Sequence, residues 1–207
     1  TIGTGASAIQ FVPELAKTAR HLSVFQRTPP WILPKVDAPF QEWTKRAFAR
    51  HPSLDRLLRA SIYFRLELRG AGFVVDPRII KMGEWMARRH LAASITDRSM
   101  REALTPRYAI GCKRILFSND YFPALAQPHV SLVTSPIVEI REHAIVTGDG
   151  DVHEVDAIVF GTGFDVGTTL FGGPVKGMGG LDLDTAWAGG AEAYLGLAVA
   201  GFPNLTL

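Results

Sequence analysis

The chain opens Thr1-Ile2-Gly3-Thr4-Gly5-Ala6-Ser7-Ala8, a G-x-G-x-x-A turn, and no other feature narrows its fold so far. In a strand-turn-helix of this type the first glycine permits a tight turn out of the strand. The second lets backbone N–H groups come close to a pyrophosphate, and the small third residue keeps the helix near the sheet. Gly3, Gly5 and Ala8 take those places, and Thr4, Ala6 and Ser7 fill out a helix N-terminus whose free N–H groups and dipole favour an anion. Glycine turns of this kind also occur where nothing binds, so the residues that follow decide the reading.

Those residues come in the order helix, then strand. Ile9, Val12, Leu15, Ala16 and Ala19 recur at helical spacing, with a bend or a short first segment expected at Pro13, and Leu22-Ser23-Val24-Phe25 reads as a strand. A site for NAD would set Asp or Glu against the ribose 2′-hydroxyl about 20 residues past the glycines. Here Gln26 and Arg27 stand in that place, with no carboxylate. Arg27 can neutralise and hydrogen-bond a 2′-phosphate, with Thr28 as a second donor, so the pattern reads as NADP(H).

At 207 residues and 47% apolar content the chain can hold one ordinary domain or one and a half small ones. No apolar stretch reaches the roughly 18 residues of a membrane span, residues 194–207 being interrupted by Gly196, Gly201 and Pro203. A single cysteine, Cys112, leaves no internal disulfide and fits a reducing, cytoplasmic setting. The sequence starts without methionine inside the strand that should carry Gly3 and stops within what reads as another strand, so a fragment of a longer protein is expected.

The net charge of +2 hides an asymmetry: residues 45–114 hold 16 Lys/Arg against 6 Asp/Glu, and residues 115–207 hold 2 against 11. Solvated helix faces account for most of the basic residues, and peripheral contact with an anionic membrane surface stays open. Nucleic acid is disfavoured, because no recognition motif occurs and the aromatics of the basic segment fall at core-like helical positions.

Pro29, Pro30, Pro34 and Pro39 mark residues 28–39 as a linker that is neither helix nor central strand. Residues 40–103 read as helical: Leu54, Leu58 and Ile62 form one stripe, Ile79, Met82 and Met86 a second beside Trp85, and Gly70-Ala71-Gly72 separates them. Residues 104–114 should be an ordered loop, with Lys113 and Arg114 at its exit, two cations suited to a phosphate or a transient oxyanion. Beyond Asp120 the pattern is β: 130–133, 137–140, 144–147 and 152–155, with Gly148-Asp149-Gly150-Asp151 as a hairpin turn. Asp156 to Phe160 is an apolar run expected to be buried on both faces, ending in Gly161-Thr162-Gly163-Phe164-Asp165, where glycines allow close approach of a ligand or backbone. Residues 161–180 contain eight glycines and suggest a domain junction. The six histidines show no metal-ligand spacing, and neither a G-x-S-x-G elbow nor a C-x-x-C dithiol occurs.

With Gly3-Thr4-Gly5-Ala6-Ser7-Ala8, Phe25-Gln26-Arg27-Thr28-Pro29, Gly111-Cys112-Lys113-Arg114 and Asp156 to Phe164 in this order, the chain resembles the class B flavin-dependent monooxygenases, most closely their Baeyer–Villiger branch. The resemblance implies an α/β fold: a Rossmann-like NADPH-binding domain over residues 1–116, with a helical insertion at about 40–103, then an incomplete return into an FAD-binding domain over 117–207 that includes a β-hairpin or meander. It implies FAD and NADP(H) as cofactors and a peroxyflavin that inserts one atom of O2 beside the carbonyl of a small-molecule ketone. Arg27 and Lys113 would hold the 2′-phosphate and Arg114 would lie by the flavin and nicotinamide. Gly161-Thr162-Gly163 is similar to the family's A-T-G linker, with Gly161 in place of alanine. The FAD turn and the fingerprint of the Baeyer–Villiger branch would both precede Thr1. Oxygenation of nitrogen or sulfur, and a non-catalytic NADP-binding module, therefore stay open alternatives.

Overall fold

The computed structural model describes residues 1–35, 38–74, 77–164 and 174–207. They form two units, Thr1–Thr162 and Gly163–Leu207. In the first unit the elements run α1 (Ala8–Thr18), β1 (Leu22–Phe25), β2 (Ile32–Leu33), α2 (Glu42–Arg50), α3 (Pro52–Val74), α4 (Pro77–Ser94), α5 (Arg98–Leu104), β3 (Leu116–Phe117), α6 (Tyr121–Leu125), β4 (Val130–Val133), β5 (Ile137–Ile140), β6 (Ala144–Thr147) and β7 (Val152–Glu154).

Parallel pairing organises this unit. β1 lies parallel to β4 in the register Leu22↔Val130 to Phe25↔Val133, and Ile2 bridges in parallel to Phe25 on one side and Phe160 on the other. The apolar face of α1 packs Ala8, Ile9, Val12 and Ala16 into a core with Leu22 and Val24 of β1, Leu91 of α4 and Ile95 just past its end, and Tyr121 and Leu125 of α6. Full burial of a Val, Leu or Ile side chain is worth about 1.5–3 kcal/mol, so this face fixes how α1 leaves the glycine turn. The helix runs unbroken through Pro13, and no short first segment forms. Pro13 is buried with the rest of that face, and its packing holds the turn that a missing N–H leaves one bond short.

The proline-rich segment is not a plain linker. Trp31 and Ile32 are buried, and β2 pairs in parallel with β3, Ile32↔Leu116 and Leu33↔Phe117. Pairing survives because none of the prolines falls between Trp31 and Leu33: Leu116 N–H donates to the Trp31 oxygen (2.9 Å) and Ser118 N–H to that of Leu33 (3.1 Å). Asn119 continues the ladder with its side chain, accepting from Lys35 N–H (2.9 Å) and donating to its carbonyl (2.8 Å). Residues 36–37 of this segment lie outside the described residues.

The insertion is helical, as its periodicity predicts, but α3 continues through Gly70-Ala71-Gly72 to Val74. Among the described side chains its aromatics are not core residues: Trp43 is 71% and Phe64 68% exposed, and Tyr63 and Trp85 are also exposed. The side chain of Ile79 lies outside the described residues.

The expected strands after Asp120 form within one residue of their predicted ends, but they stay in the first unit. β4 joins β1, and β5, β6 and β7 make an antiparallel meander with 148–151 as its turn. The division between the two compact units falls at Thr162/Gly163. Residues 156–160, expected to be buried on both faces, bridge only to Ile2 among the described residues, and Phe160 is 62% exposed.

In the second unit a turn of 3₁₀ helix (Met178–Gly180) and the short helix α7 (Leu183–Ala186) precede an antiparallel hairpin of β8 (Ala198–Val199) and β9 (Phe202–Thr206). Leu183, Val199 and Phe202 form its core, with Trp187 packed against them. Residues 165–173, including Asp165, lie outside the described residues.

Candidate functional site

Backbone hydrogen bonds set the position of the glycine turn. Phe25 N–H donates to the Thr1 carbonyl (2.8 Å) and Gly3 N–H to that of Phe25 (3.0 Å); on the other side Ile2 N–H donates to Val159 (2.9 Å) and Gly161 N–H to Ile2 (2.8 Å). Three chain segments thus leave the same end of the sheet side by side: the Gly3 turn, the Gln26-Arg27-Thr28 exit of β1, and Gly161-Thr162. The carboxyl end of parallel strands is where open α/β sheets bind ligands.

Gly3 has φ +107°, and a methyl group there would overlap the carbonyl oxygen of Gly161. The fold itself demands glycine at this position. Gly5 differs: a methyl there would meet nothing within 4 Å. Ile9 N–H turns back to the Gly5 carbonyl (3.1 Å), and those of Gln10 and Phe11 to Ser7 (3.0 and 3.1 Å). The N–H groups of Gly5, Ala6 and Ser7 have no backbone acceptor among the described residues. Ser7 offers no side-chain cap and the first turn of α1 holds no acid, so these donors and the positive end of the helix face outward uncompensated. Ala8 is fully buried beneath them.

The arginine loop is tied to this turn. Thr4 is buried, and its hydroxyl donates to the Thr28 carbonyl (3.2 Å). Gln26 is 4% exposed; its Nε2 donates to the Ala103 carbonyl at the end of α5 (2.9 Å), while its Oε1 is buried without a partner. Between these anchors Arg27 stands exposed, with no ion pair or hydrogen bond among the described residues.

The loop bearing Lys113 and Arg114 is ordered by contacts far along the chain. Trp31 Nε1–H donates to the Tyr108 carbonyl (2.8 Å), the Tyr108 hydroxyl donates to the Pro29 carbonyl (3.1 Å), and Ile110 N–H donates to Glu84 Oε1 (3.2 Å). Lys113 Nζ lies over the Tyr108 ring, 5.1 Å from its centroid. Partial burial raises the Tyr108 phenol above its usual range, opposed by a backbone hydrogen bond from Trp31, so it stays a neutral donor near pH 7. Arg114 is exposed and lies two residues before β3, the strand paired with β2. Gly163 opens the second unit.

Of the sequence-predicted residues, the structure gathers Gly3, Thr4, Gly5, Ala6, Ser7 and Ala8 with Arg27 and Thr28, sets Gly161 and Thr162 against them, and ties the Lys113–Arg114 loop to the segment following Thr28. Sequence reasoning missed Gln26, Trp31 and Tyr108, whose partners lie 77 to 79 residues away. Only the aromatic character of Tyr108, inside a loop predicted to be ordered, signalled it. The turn presents free backbone donors at a helix N-terminus, and Arg27, Lys113 and Arg114 are exposed cations.

The chain is similar to known proteins over almost its whole length. The chain is 47% identical over 204 residues to a protein named Baeyer–Villiger monooxygenase from Pseudomonas aeruginosa, covering 99% of the chain, and 43% identical over 203 residues to one from Streptomyces coelicolor, covering 98%. It spans 39% of the length of each. Among solved structures, an oxidized steroid monooxygenase bound to NADP superposes with TM-score 0.80 at 30% identity, covering 99% of this chain and 46% of the other. OTEMO in complex with FAD and NADP superposes with TM-score 0.79 at 27% identity, covering 99% and 45%. No protein-family model matches the chain. Homology over the whole chain to Baeyer–Villiger monooxygenases is thus established, and with it a Rossmann-type flavoprotein fold.

Proposed function

We propose that this homologue of the Baeyer–Villiger monooxygenases supplies the Rossmann-like NADPH-binding part, with its helical insertion, of an FAD- and NADPH-dependent enzyme that inserts one oxygen atom of O2 beside a ketone carbonyl, giving an ester or lactone. The observation that carries the reading is the convergence of an uncapped glycine turn and an exposed, unneutralised Arg27, joined by the Thr4–Thr28 hydrogen bond. A dinucleotide with a 2′-phosphate needs an anion cradle and, a ribose away, a cation with no carboxylate beside it.

In this assignment the turn from Gly3 to Ala8 holds the pyrophosphate through the free N–H groups of Gly5, Ala6 and Ser7, while Arg27, Thr28 and Lys113 hold the 2′-phosphate. Bound FAD would supply the redox chemistry that activates O2. Arg114 is the catalytic side chain of this segment: a guanidinium keeps its charge at any working pH and stabilises negative charge developing beside it without giving up a proton. Gly161, Thr162 and Gly163 form the passage into the FAD-binding domain, to which the second unit belongs. The substrate is a small ketone, nucleic acid plays no part, and the setting is cytoplasmic. No described helix is long and apolar enough to cross a membrane.

The complete protein tests the assignment. Replacing Arg27 by Ala removes charge-assisted bonds worth about 1.5–3 kcal/mol, so the preference for NADPH over NADH falls roughly 10- to 150-fold. Arg114→Ala abolishes ketone oxygenation and leaves NADP binding in place. An unchanged cofactor preference in the first variant, or unchanged turnover in the second, refutes the role concerned.

A further inference from the structure

Tyr108 joins the two cation-bearing segments of the site. Its hydroxyl donates to the Pro29 carbonyl (3.1 Å), its own carbonyl accepts from Trp31 Nε1–H (2.8 Å), and the face of its ring carries the Lys113 ammonium at 5.1 Å. Pro29 immediately follows Thr28, and on the far side of Arg27 the Gln26 side chain is bonded to Ala103 at the end of α5, the helix from which the Tyr108 loop departs. The two-residue stretch Arg27-Thr28 is therefore clamped on both flanks to one 103–114 segment.

Lys113 has no carboxylate partner among the described residues, so the ring of Tyr108 is its one seat there. A lysine on a four-carbon stem samples many rotamers, and an aromatic face within about 6 Å restricts them through attraction between the ring quadrupole and the cation. The same residue that restricts Lys113 also pins the backbone next to Arg27. From this we infer that Tyr108 is a positioning residue for the recognition of a 2′-phosphate: its ring holds Lys113, and its hydroxyl sets the distance between Lys113 and Arg27. The inference rests on the reading of Arg27 and Lys113 as the 2′-phosphate pair.

A double-mutant cycle on the complete flavoprotein tests it, with KM for NADPH and for NADH as the readout. Tyr108→Met keeps a side chain of similar bulk but has no aromatic face. Losing a solvent-exposed cation–π contact lowers the NADPH-over-NADH preference by about two- to fivefold. The expected rise is in KM for NADPH, with kcat and KM for NADH unchanged, a split that a merely structural role would not produce. In the Lys113→Ala background, Tyr108→Met adds no further loss of preference. Tyr108→Phe keeps the ring but loses the hydroxyl's bond to the Pro29 carbonyl, so it lowers the preference by less than Tyr108→Met does. Should Tyr108→Met not accumulate as holoprotein, Tyr108→Leu takes its place.

Independent, additive effects of Tyr108→Met and Lys113→Ala would overturn the inference. So would a preference that Lys113→Ala lowers and Tyr108→Met leaves untouched, or a loss in Tyr108→Phe as large as that in Tyr108→Met. If Arg27→Ala and Lys113→Ala both leave the preference intact, the 2′-phosphate reading itself has failed and the role of Tyr108 falls with it.

Discussion

Gly3 and Gly5 sit two residues apart in one turn, yet the structure gives them different reasons to be glycine, and exchanging each for alanine separates fold from ligand. At Gly5 an added methyl meets nothing within 4 Å and the backbone lies outside the left-handed region, so the folded chain accepts it. Removing a glycine also narrows the unfolded ensemble, which favours the folded state by about 0.4–1 kcal/mol. At about 2–4 °C per kcal/mol for a chain of this size, Gly5→Ala melts at the parent temperature or a few degrees above it. The space that this methyl enters is the space through which a pyrophosphate would approach the Gly5, Ala6 and Ser7 N–H groups. Crowding a packed contact by one carbon costs about 1–3 kcal/mol, so Kd for NADP rises by roughly 5- to 150-fold. At Gly3 the order reverses: φ +107° and the overlap with the Gly161 carbonyl destabilise the sheet first. A thermal scan and a titration with NADP on the complete protein, run for both variants, make the comparison. An unstable Gly5→Ala would show that the turn is packed more tightly than described, and a stable one that binds NADP like the parent would refute pyrophosphate contact at this position.

Gly161→Ala places a methyl 3.0 Å from the edge of the Phe11 ring, closer than side chains ordinarily sit, so it lowers Tm by a few degrees; Phe11→Leu in the same chain restores part of the loss. Tyr121 is fully buried with its hydroxyl unpartnered, and burial pushes its phenol far above the usual range. Below about pH 10 both folded and unfolded chains keep this proton, and above it only the unfolded chain releases it, so stability falls there by about 1.4 kcal/mol per pH unit from this one group. Tyr121→Phe, read by denaturant unfolding, is at least as stable as the parent at pH 7 and lacks that component of the alkaline loss; a variant destabilised by more than about 1 kcal/mol would mean that the hydroxyl has a partner.

The elements most legible in the sequence were those whose signal is local. The α1 stripe, the β1 run, the insertion helices and the 148–151 turn are each written in a dozen residues or fewer, by period or by turn chemistry. Where the reading went astray, a local rule met a partner it could not see. Four prolines argued against a strand at 32–33, but proline removes only its own N–H, and β2 is held through the carbonyls of Trp31 and Leu33, which no proline takes away. Gly70 and Gly72 marked a break, but a helix interior tolerates glycine at about 1 kcal/mol each, and α3 runs on. The Asp156–Phe160 run was apolar enough for a strand buried on both faces, and burial on a second face depends on a neighbour that composition does not specify.

The site shows the same division between residues and contacts. Each proposed ligand group carries its chemistry in its own side chain or backbone, so Gly3 to Ala8, Arg27, Lys113 and Arg114 could be picked without coordinates. What fixes their spacing is Thr4 on Thr28, Gln26 on Ala103 and Tyr108 on Pro29, three hydrogen bonds that span 24, 77 and 79 residues. Two of the three end on backbone carbonyls of residues flanking Arg27, and the third starts from its neighbour. Cofactor preference should therefore respond to residues that never touch the cofactor, because a phosphate cradled by two cations senses the distance between them as steeply as it senses their charge.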